Sequence, residues 1–208
     1  MLIYWPIIYM EGDFVTDQEM IARLRAMLHP DRFRHTLGVA DTARNLAATH
    51  GCDAQKAYVA GLLHDCAKNM GHAKLLAACG ELEITLDEVS AQELGLVHAY
   101  VGAHLAEREF GVCDEAIFDA IYYHTIGKPD MPLLTKIIYL ADSIEPNRRL
   151  GGELDAIRAV AQTDLNQALM MCFDSSIKYV IRKGGLLHPN SILARNFLLS
   201  QKRKERKE

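Results

Sequence analysis

The sequence has few of the features that mark secreted, membrane or nucleic-acid-binding proteins. Its five cysteines include no Cys-X-X-Cys pair, which argues against a disulfide framework or a thiolate zinc site and predicts reduced thiols in the cytoplasm. No apolar run is long enough to span a bilayer, and the apolar residues 1–10 lack the basic start and cleavage site of a signal peptide. A net charge of −4 gives no general attraction to nucleic acid or anionic membranes.

Alternating strand patterns bounded by hairpin turns are also absent, while helical periodicity runs through nearly the whole chain. The sequence therefore predicts an all-α fold. A hydrophobic fraction of 50% over 208 residues is enough for one sizeable core. We expect an N-terminal extension over residues 1–16, one helical domain over residues 17–200 and a basic, solvated tail over residues 201–208.

Capping residues and helix breakers divide the chain into predicted helices. One helix is expected over residues 30–50, because proline suits its first turn and glycine follows its end. A third helix, capped by Asp53, should continue to about Lys68. Thr85-Leu86-Asp87-Glu88 has the pattern of a capping box. A single long helix is expected over residues 153–183.

Histidines and aspartates with the composition of a two-metal site are spread along the chain. These residues are His35, His64, Asp65, His98, His124 and Asp142. Each alone is weak evidence, since a single histidine is more often structural, but Asp142 lies in an apolar helix where a carboxylate must be paired or bind a cation. Nitrogen and carboxylate ligands without thiolate suit iron, manganese or zinc.

Cationic side chains accompany several of these residues. Lys68 lies four residues after His64, which would place it one turn further along the same helix face. A lysine beside two metals suits hydrolysis of phosphoesters or phosphoanhydrides. Phosphate contacts are expected from Lys68, Lys128, Arg148 and Arg32. Each also fits a solvated surface charge, and Arg32 has the alternative of holding Asp142. Glu145 is a candidate for supporting a ligand.

The pattern of histidines and aspartates resembles the H…HD…D signature of the HD-domain phosphohydrolase superfamily, and His98 and His124 resemble the additions found in its two-metal members. More closely, the chain resembles the YqeK family of HD-domain symmetrical diadenosine tetraphosphatases. The matching stretches are residues 32–39, 61–68, 98–103, 124–127 and 141–148, within a resemblance that covers residues 18–190. Ile126 departs from the pattern, because the family usually has threonine at this position.

This resemblance implies an HD-domain helical bundle with two metal ions, expected to be iron, although ligand chemistry alone allows manganese or zinc. One iron would be held by His35, His64, Asp65 and Asp142. Asp65 would bridge to a second iron held by His98 and His124. A hydroxide between the metals would attack a central phosphate of diadenosine tetraphosphate and release two ADP, with Asp65 and Lys68 as catalytic residues.

Two other functions stay open from the sequence. The same ligands would serve an HD-domain nucleotidase acting on nucleoside di- or triphosphates, and only the shape of the pocket would decide between the two. A non-catalytic nucleotide-binding module is the other alternative, although it would be expected to have lost some ligands. The expected partner is a small nucleotide, with no nucleic acid and no membrane, and a homodimer is left open.

Overall fold

The computed structural model describes residues 15–148 and 152–206. Every regular element in these two ranges is helical, which confirms the predicted all-α class. In chain order the α-helices are α1 (Asp17–Met27), α2 (Pro30–His50), α3 (Ala54–Leu63), α4 (His72–Glu81), α5 (Glu88–Gln92), α6 (Val97–Phe110), α7 (Glu115–Tyr123), α8 (Leu133–Ile144), α9 (Gly152–Ala161), α10 (Leu165–Lys183) and α11 (Pro189–Glu205). A short 3₁₀ helix, Leu94–Leu96, leads into α6.

Two predicted helix boundaries need correction. The third helix ends at Leu63, and the chain continues as non-helical turns. Lys68 therefore lies in this turn segment and not on the face of a helix. The capping box at Thr85 was also wrong. Asp87 is the N-cap of α5, because its carboxylate accepts hydrogen bonds from the backbone amides of Val89 and Ser90.

The single long helix predicted over residues 153–183 is two helices, α9 and α10. The break lies at Gln162, Thr163 and Asp164, and the Asp164 side chain accepts a hydrogen bond from the backbone amide of Gln167. Threonine and aspartate stop helices in this way because their side chains offer the backbone a local hydrogen bond. The predicted C-terminal boundary at Gly184 is confirmed, with φ of 68° in the left-handed region.

Close contact between α2 and α3 forms the centre of the bundle. A Cβ atom on Gly61 would lie 2.7 Å from the Cα atom of Ala40, so only glycine permits the two backbones to approach this closely. Helix α8 packs beside this pair and has fully buried residues along most of its length, including Ile137 and Leu140. This packing brings three histidines at helix ends close to His35 of α2: His64 after α3, His98 at the start of α6 and His124 after α7.

The ends of the chain are described in part. The expected extension over residues 1–16 lies mostly outside the described residues. Helix α11 continues to Glu205, into the expected basic tail, and the proposed division of the chain at residues 16 and 200 stays a prediction. No helix in the described ranges has the length and apolar character needed to cross a bilayer.

Candidate metal centre

Four histidine rings converge on the space between α2, α6, α7 and α8. Their Nδ1 atoms all face an acceptor oxygen: Glu145 Oε1 at 3.0 Å for His35, Gly61 O at 2.7 Å for His64, Gly95 O at 2.6 Å for His98 and Ile121 O at 2.7 Å for His124. An acceptor at Nδ1 fixes the tautomer with the proton on that nitrogen. All four rings therefore direct an Nε2 lone pair into the same space.

The carboxylate of Asp65 lies between two pairs of these rings. Its Oδ2 atom is 3.3 Å from Nε2 of His64 and 3.8 Å from Nε2 of His35. Its Oδ1 atom is 3.0 Å from Nε2 of His98 and 3.8 Å from Nε2 of His124. One carboxylate thus faces both pairs, with a separate oxygen for each.

Asp142 completes one side of the arrangement. Its Oδ1 atom is 3.0 Å from Nε2 of His35 and 3.8 Å from Nε2 of His64. We call His35, His64 and Asp142 the first half-site, and His98 and His124 the second half-site, with Asp65 shared by both. The ligand atoms of the first half-site lie within 4.8 Å of one another, as do those of His64, Asp65 and His124.

The buried polar atoms of the first half-site fit a divalent cation. The Nε2 atoms of His35 and His64 are buried and have no hydrogen-bond partner within the described protein. A buried acceptor without a partner is costly, and a cation at this position would satisfy both lone pairs. Histidine and carboxylate donors without thiolate also suit a metal of the first transition series.

The electrostatics of His98, His124 and Asp65 favour the protonation states that bind metals. Burial lowers the pKa of His98, and burial beside His64 and His98 lowers the pKa of His124 to about 3. Although burial opposes it, the neighbouring histidines hold the pKa of the Asp65 carboxyl well below its usual range. Neutral imidazoles and ionised carboxylates are the forms that ligate a cation. His64 differs, because Asp65 and Asp142 raise its pKa despite its burial.

The cations predicted to contact phosphate occupy different positions around the site. Lys68 Nζ lies 3.2 Å from Nε2 of His98. Arg32 donates to Asp65 Oδ2 at 2.8 Å and not to Asp142, whose Oδ1 accepts a 2.6 Å hydrogen bond from Arg148. Lys128 Nζ is paired with the Asp119 carboxylate at 2.6 Å.

Two residues support the site, of which Glu145 was expected from the sequence and Arg158 was not. Glu145, the expected support, is almost fully buried and contacts His35 through Oε1. Arg158 was missed, although its guanidinium donates to the carbonyl oxygens of Ile144, Glu145 and Arg148 at 2.8 to 3.0 Å. Arginines at helical spacing are common on surfaces, so nothing in the sequence around Arg158 indicated this role.

Comparisons with known proteins identify the family of the chain. The HD domain family matches residues 32–147. The chain is 41% identical over 185 residues to a symmetrical bis(5'-nucleosyl)-tetraphosphatase of Bacillus subtilis, covering 88% of this chain and 97% of that protein. It is 37% identical over 172 residues to the protein of the same name from Halalkalibacterium halodurans, covering 83% of this chain and 91% of that one.

A solved structure has the same fold. It is the crystal structure of a predicted HD superfamily hydrolase involved in NAD metabolism from Clostridium acetobutylicum. It matches with a TM-score of 0.86 and 44% sequence identity, covering 89% of this chain and 98% of that chain.

Proposed function

This chain belongs to the YqeK family of HD-domain proteins, and we propose that it hydrolyses diadenosine tetraphosphate symmetrically to two molecules of ADP at a two-metal centre. The observation that carries the proposal is the position of Asp65, whose two oxygens face separate groups of histidines. A single carboxylate placed in this way is suited to bridge two cations. The symmetrical tetraphosphatases described above give the substrate class.

The half-sites divide the proposed ligands. His35, His64, Asp142 and Asp65 Oδ2 would hold one metal, and His98, His124 and Asp65 Oδ1 the other. When bound, the two cations would supply Lewis-acid chemistry, lowering the pKa of a water molecule and stabilising negative charge on the phosphoryl group. Iron is the proposed metal, with manganese and zinc as alternatives that the ligands also accept.

The overall reaction adds one water across the central anhydride. A new phosphorus–oxygen bond forms to the water oxygen, the bridging bond breaks, and each nucleoside leaves with two phosphates. Histidines that keep Nδ1 protonated hold their Nε2 lone pairs in place throughout. Lys68, Arg32 and Arg148 are proposed to contact the phosphate chain, because their cationic groups lie against the metal-binding side chains. Lys128 is proposed as a more distant contact.

Product analysis of the purified, metal-analysed protein with diadenosine tetraphosphate tests the proposal. Wild-type protein is expected to yield ADP alone, and Asp65→Asn to lose both metals and at least about 100-fold in kcat/KM. Asp174→Asn is a matched control, because this aspartate pairs with Arg195 on α10 and α11. Release of AMP and ATP, or full activity of Asp65→Asn, would contradict the proposal.

The alternatives give different products. An HD-domain nucleotidase would release orthophosphate or pyrophosphate from nucleoside di- or triphosphates and leave the dinucleotide intact. A non-catalytic module would bind nucleotide without turnover. A cytoplasmic location, a homodimer and the absence of a nucleic-acid partner stay predictions.

A further inference from the structure

A cavity of about 380 Å³ is lined by residues that lie next to His98 and His124 in the sequence and by none of the proposed metal ligands. One wall comes from α6 and α7 and the residues just after α7. The other comes from the turn that begins α11. The residues that matter for its chemistry are Tyr100, Tyr122, Tyr123, Ile126, His188 and Asn190. Aromatic rings beside a few polar groups are a common lining of small-molecule sites.

Tyrosines form the first wall. Tyr122 is stacked between Tyr100, with ring centroids 4.6 Å apart, and Phe118, at 5.9 Å. Tyr123 is tilted by 60° against Tyr122, and the ammonium group of Lys128 lies 4.6 Å from the centre of its ring. Tyr122 is already stacked with two rings, whereas Tyr123 is tilted against its ring neighbour, so Tyr123 is the tyrosine whose ring suits an added stacking partner. Ile126, the departure from the family pattern, adds apolar surface to this wall.

The second wall is held rigidly by hydrogen bonds. His188 Nδ1 accepts from the backbone amide of Asn190 at 3.1 Å, so Nε2 carries the proton, and it lies 3.1 Å from Asp87 Oδ2. Ser191 donates its hydroxyl to the carbonyl of Ile126 at 3.0 Å, which ties the start of α11 to the loop after α7. The cavity therefore lies between two walls that are fixed to one another.

The first wall is continuous in sequence with the second half-site. Tyr100 follows His98 by two residues on α6, and Tyr123 directly precedes His124 at the end of α7. A substrate whose phosphates lie on the metals would extend its nucleoside along one of these helix ends. Residues from both helices line the cavity.

We propose that this cavity is the subsite for one nucleobase of the dinucleotide. The base stacks against Tyr123, and the amide of Asn190, which both donates and accepts hydrogen bonds, contacts its edge. This inference rests on the proposed function, because it assumes a nucleotide whose phosphates occupy the metal centre. It assigns recognition of the nucleobase to the cavity, whereas the phosphate chain is bound at the proposed metal centre.

Binding of ADP and of pyrophosphate, measured by titration calorimetry at the same free metal concentration, separates the base from the phosphates. Wild-type protein is expected to bind ADP more tightly than pyrophosphate. Tyr123→Leu is expected to weaken ADP binding about tenfold, with pyrophosphate changed less than about twofold, and Tyr123→Phe should retain most of the ADP affinity. Asn190→Ala, at a half-buried position at the start of α11, is an independent variant with the same expected direction.

Tyr179→Leu is the matched control, because Tyr179 on α10 is also a tyrosine with a lysine over its ring, and it is exposed and away from the cavity. Equal wild-type affinity for ADP and pyrophosphate would overturn the subsite, as would equal losses for both ligands in Tyr123→Leu, or no loss in either cavity variant. Product analysis with diadenosine tetraphosphate is scored separately, so absent cleavage with intact selective ADP binding would contradict only the proposed function.

Discussion

Glu145 is a side chain outside the proposed ligand set that fixes the orientation of one ligand, His35. Its Oε1 atom lies 3.0 Å from His35 Nδ1, and its Oε2 atom accepts from both the backbone amide and the side chain of Asn147. A Cβ atom on Gly38 would lie 2.5 Å from Oε2. A larger residue at position 38 would therefore displace the carboxylate from its present contacts.

At the scale of the residue, Glu145→Gln is expected to lower the metal affinity of the first half-site about tenfold. The amide would orient His35 less firmly, because its NH₂ group would face either His35 Nδ1 or the donors of Asn147, where the carboxylate now accepts. Metal titration followed by elemental analysis measures the effect. Glu115→Gln, on the exposed first turn of α7, is the control, and equal metal affinity in both variants would contradict the role of Glu145.

The two lysines near the site should differ in their effect on turnover. Lys68→Gln is expected to lower kcat/KM for the dinucleotide about 100-fold, because its ammonium lies against His98. Lys128→Gln should cost less than about tenfold, since Asp119 already engages that ammonium. Steady-state kinetics compare both with Lys178→Gln, an exposed control on α10. A larger loss for Lys128→Gln would reverse this assignment.

The residues expected to bind metal were predictable because the chemistry restricts them to a few types, and the structure brings all of them together. The partners of the cations were not predictable. The Lys128–Asp119 pair depends on how the loop after α7 folds back on that helix, and Arg32 reaches Asp65 only because α2 packs on the turn after α3. Such contacts follow from packing between helices, which a linear pattern does not contain.

At the scale of the element, the packing of α2 on α3 sets the distance between His35 and His64. Gly61→Ala is expected to lower the free energy of unfolding by about 1–3 kcal/mol, because its Cβ would meet the backbone of Ala40. Gly80→Ala on α4 is a matched control with open space around it, and it should stabilise the protein by about 0.5–1 kcal/mol. Urea denaturation measures the free energy of unfolding of both variants. A change of the same sign in Gly61→Ala and Gly80→Ala would contradict this account.

The connection between α8 and α9 depends on Arg158. Because its guanidinium holds three carbonyl oxygens of this segment, Arg158→Ala should displace Arg148 and raise KM for the dinucleotide about threefold to tenfold, with a smaller change in kcat. Steady-state kinetics test this, with the exposed Arg182→Ala on α10 as the control. An unchanged KM with normal stability would show that the connection does not position Arg148.

Helix boundaries marked by a glycine or proline, such as both ends of α2 and the end of α10, were predicted closely. Boundaries set by a competing side chain were missed. Asp164 divides α9 from α10 through one hydrogen bond to a backbone amide, while apolar residues at helical spacing continue on both sides. Similarly, the turn at His64 continues the apolar pattern of α3, although the helical hydrogen bonds stop.

At the scale of the whole molecule, the proposed metals would join α2, α6, α7, α8 and the end of α3. Removing them with a chelator is expected to lower Tm by about 5–10 °C, because a ligand that binds only the folded state stabilises it by mass action. Differential scanning calorimetry with and without chelator measures the shift. Asp65→Asn should show almost none, and an equal shift in that variant would point to metal bound elsewhere.

The spacing of the proposed ligands along the chain has a consequence for biosynthesis. The second half-site and Asp65 are all present once residue 124 has left the ribosome, whereas the first half-site must wait for Asp142 near the end of α8. The chain is synthesised from its N-terminus. The first half-site therefore begins earlier, with His35, but all of its proposed ligands are synthesised only after those of the second half-site.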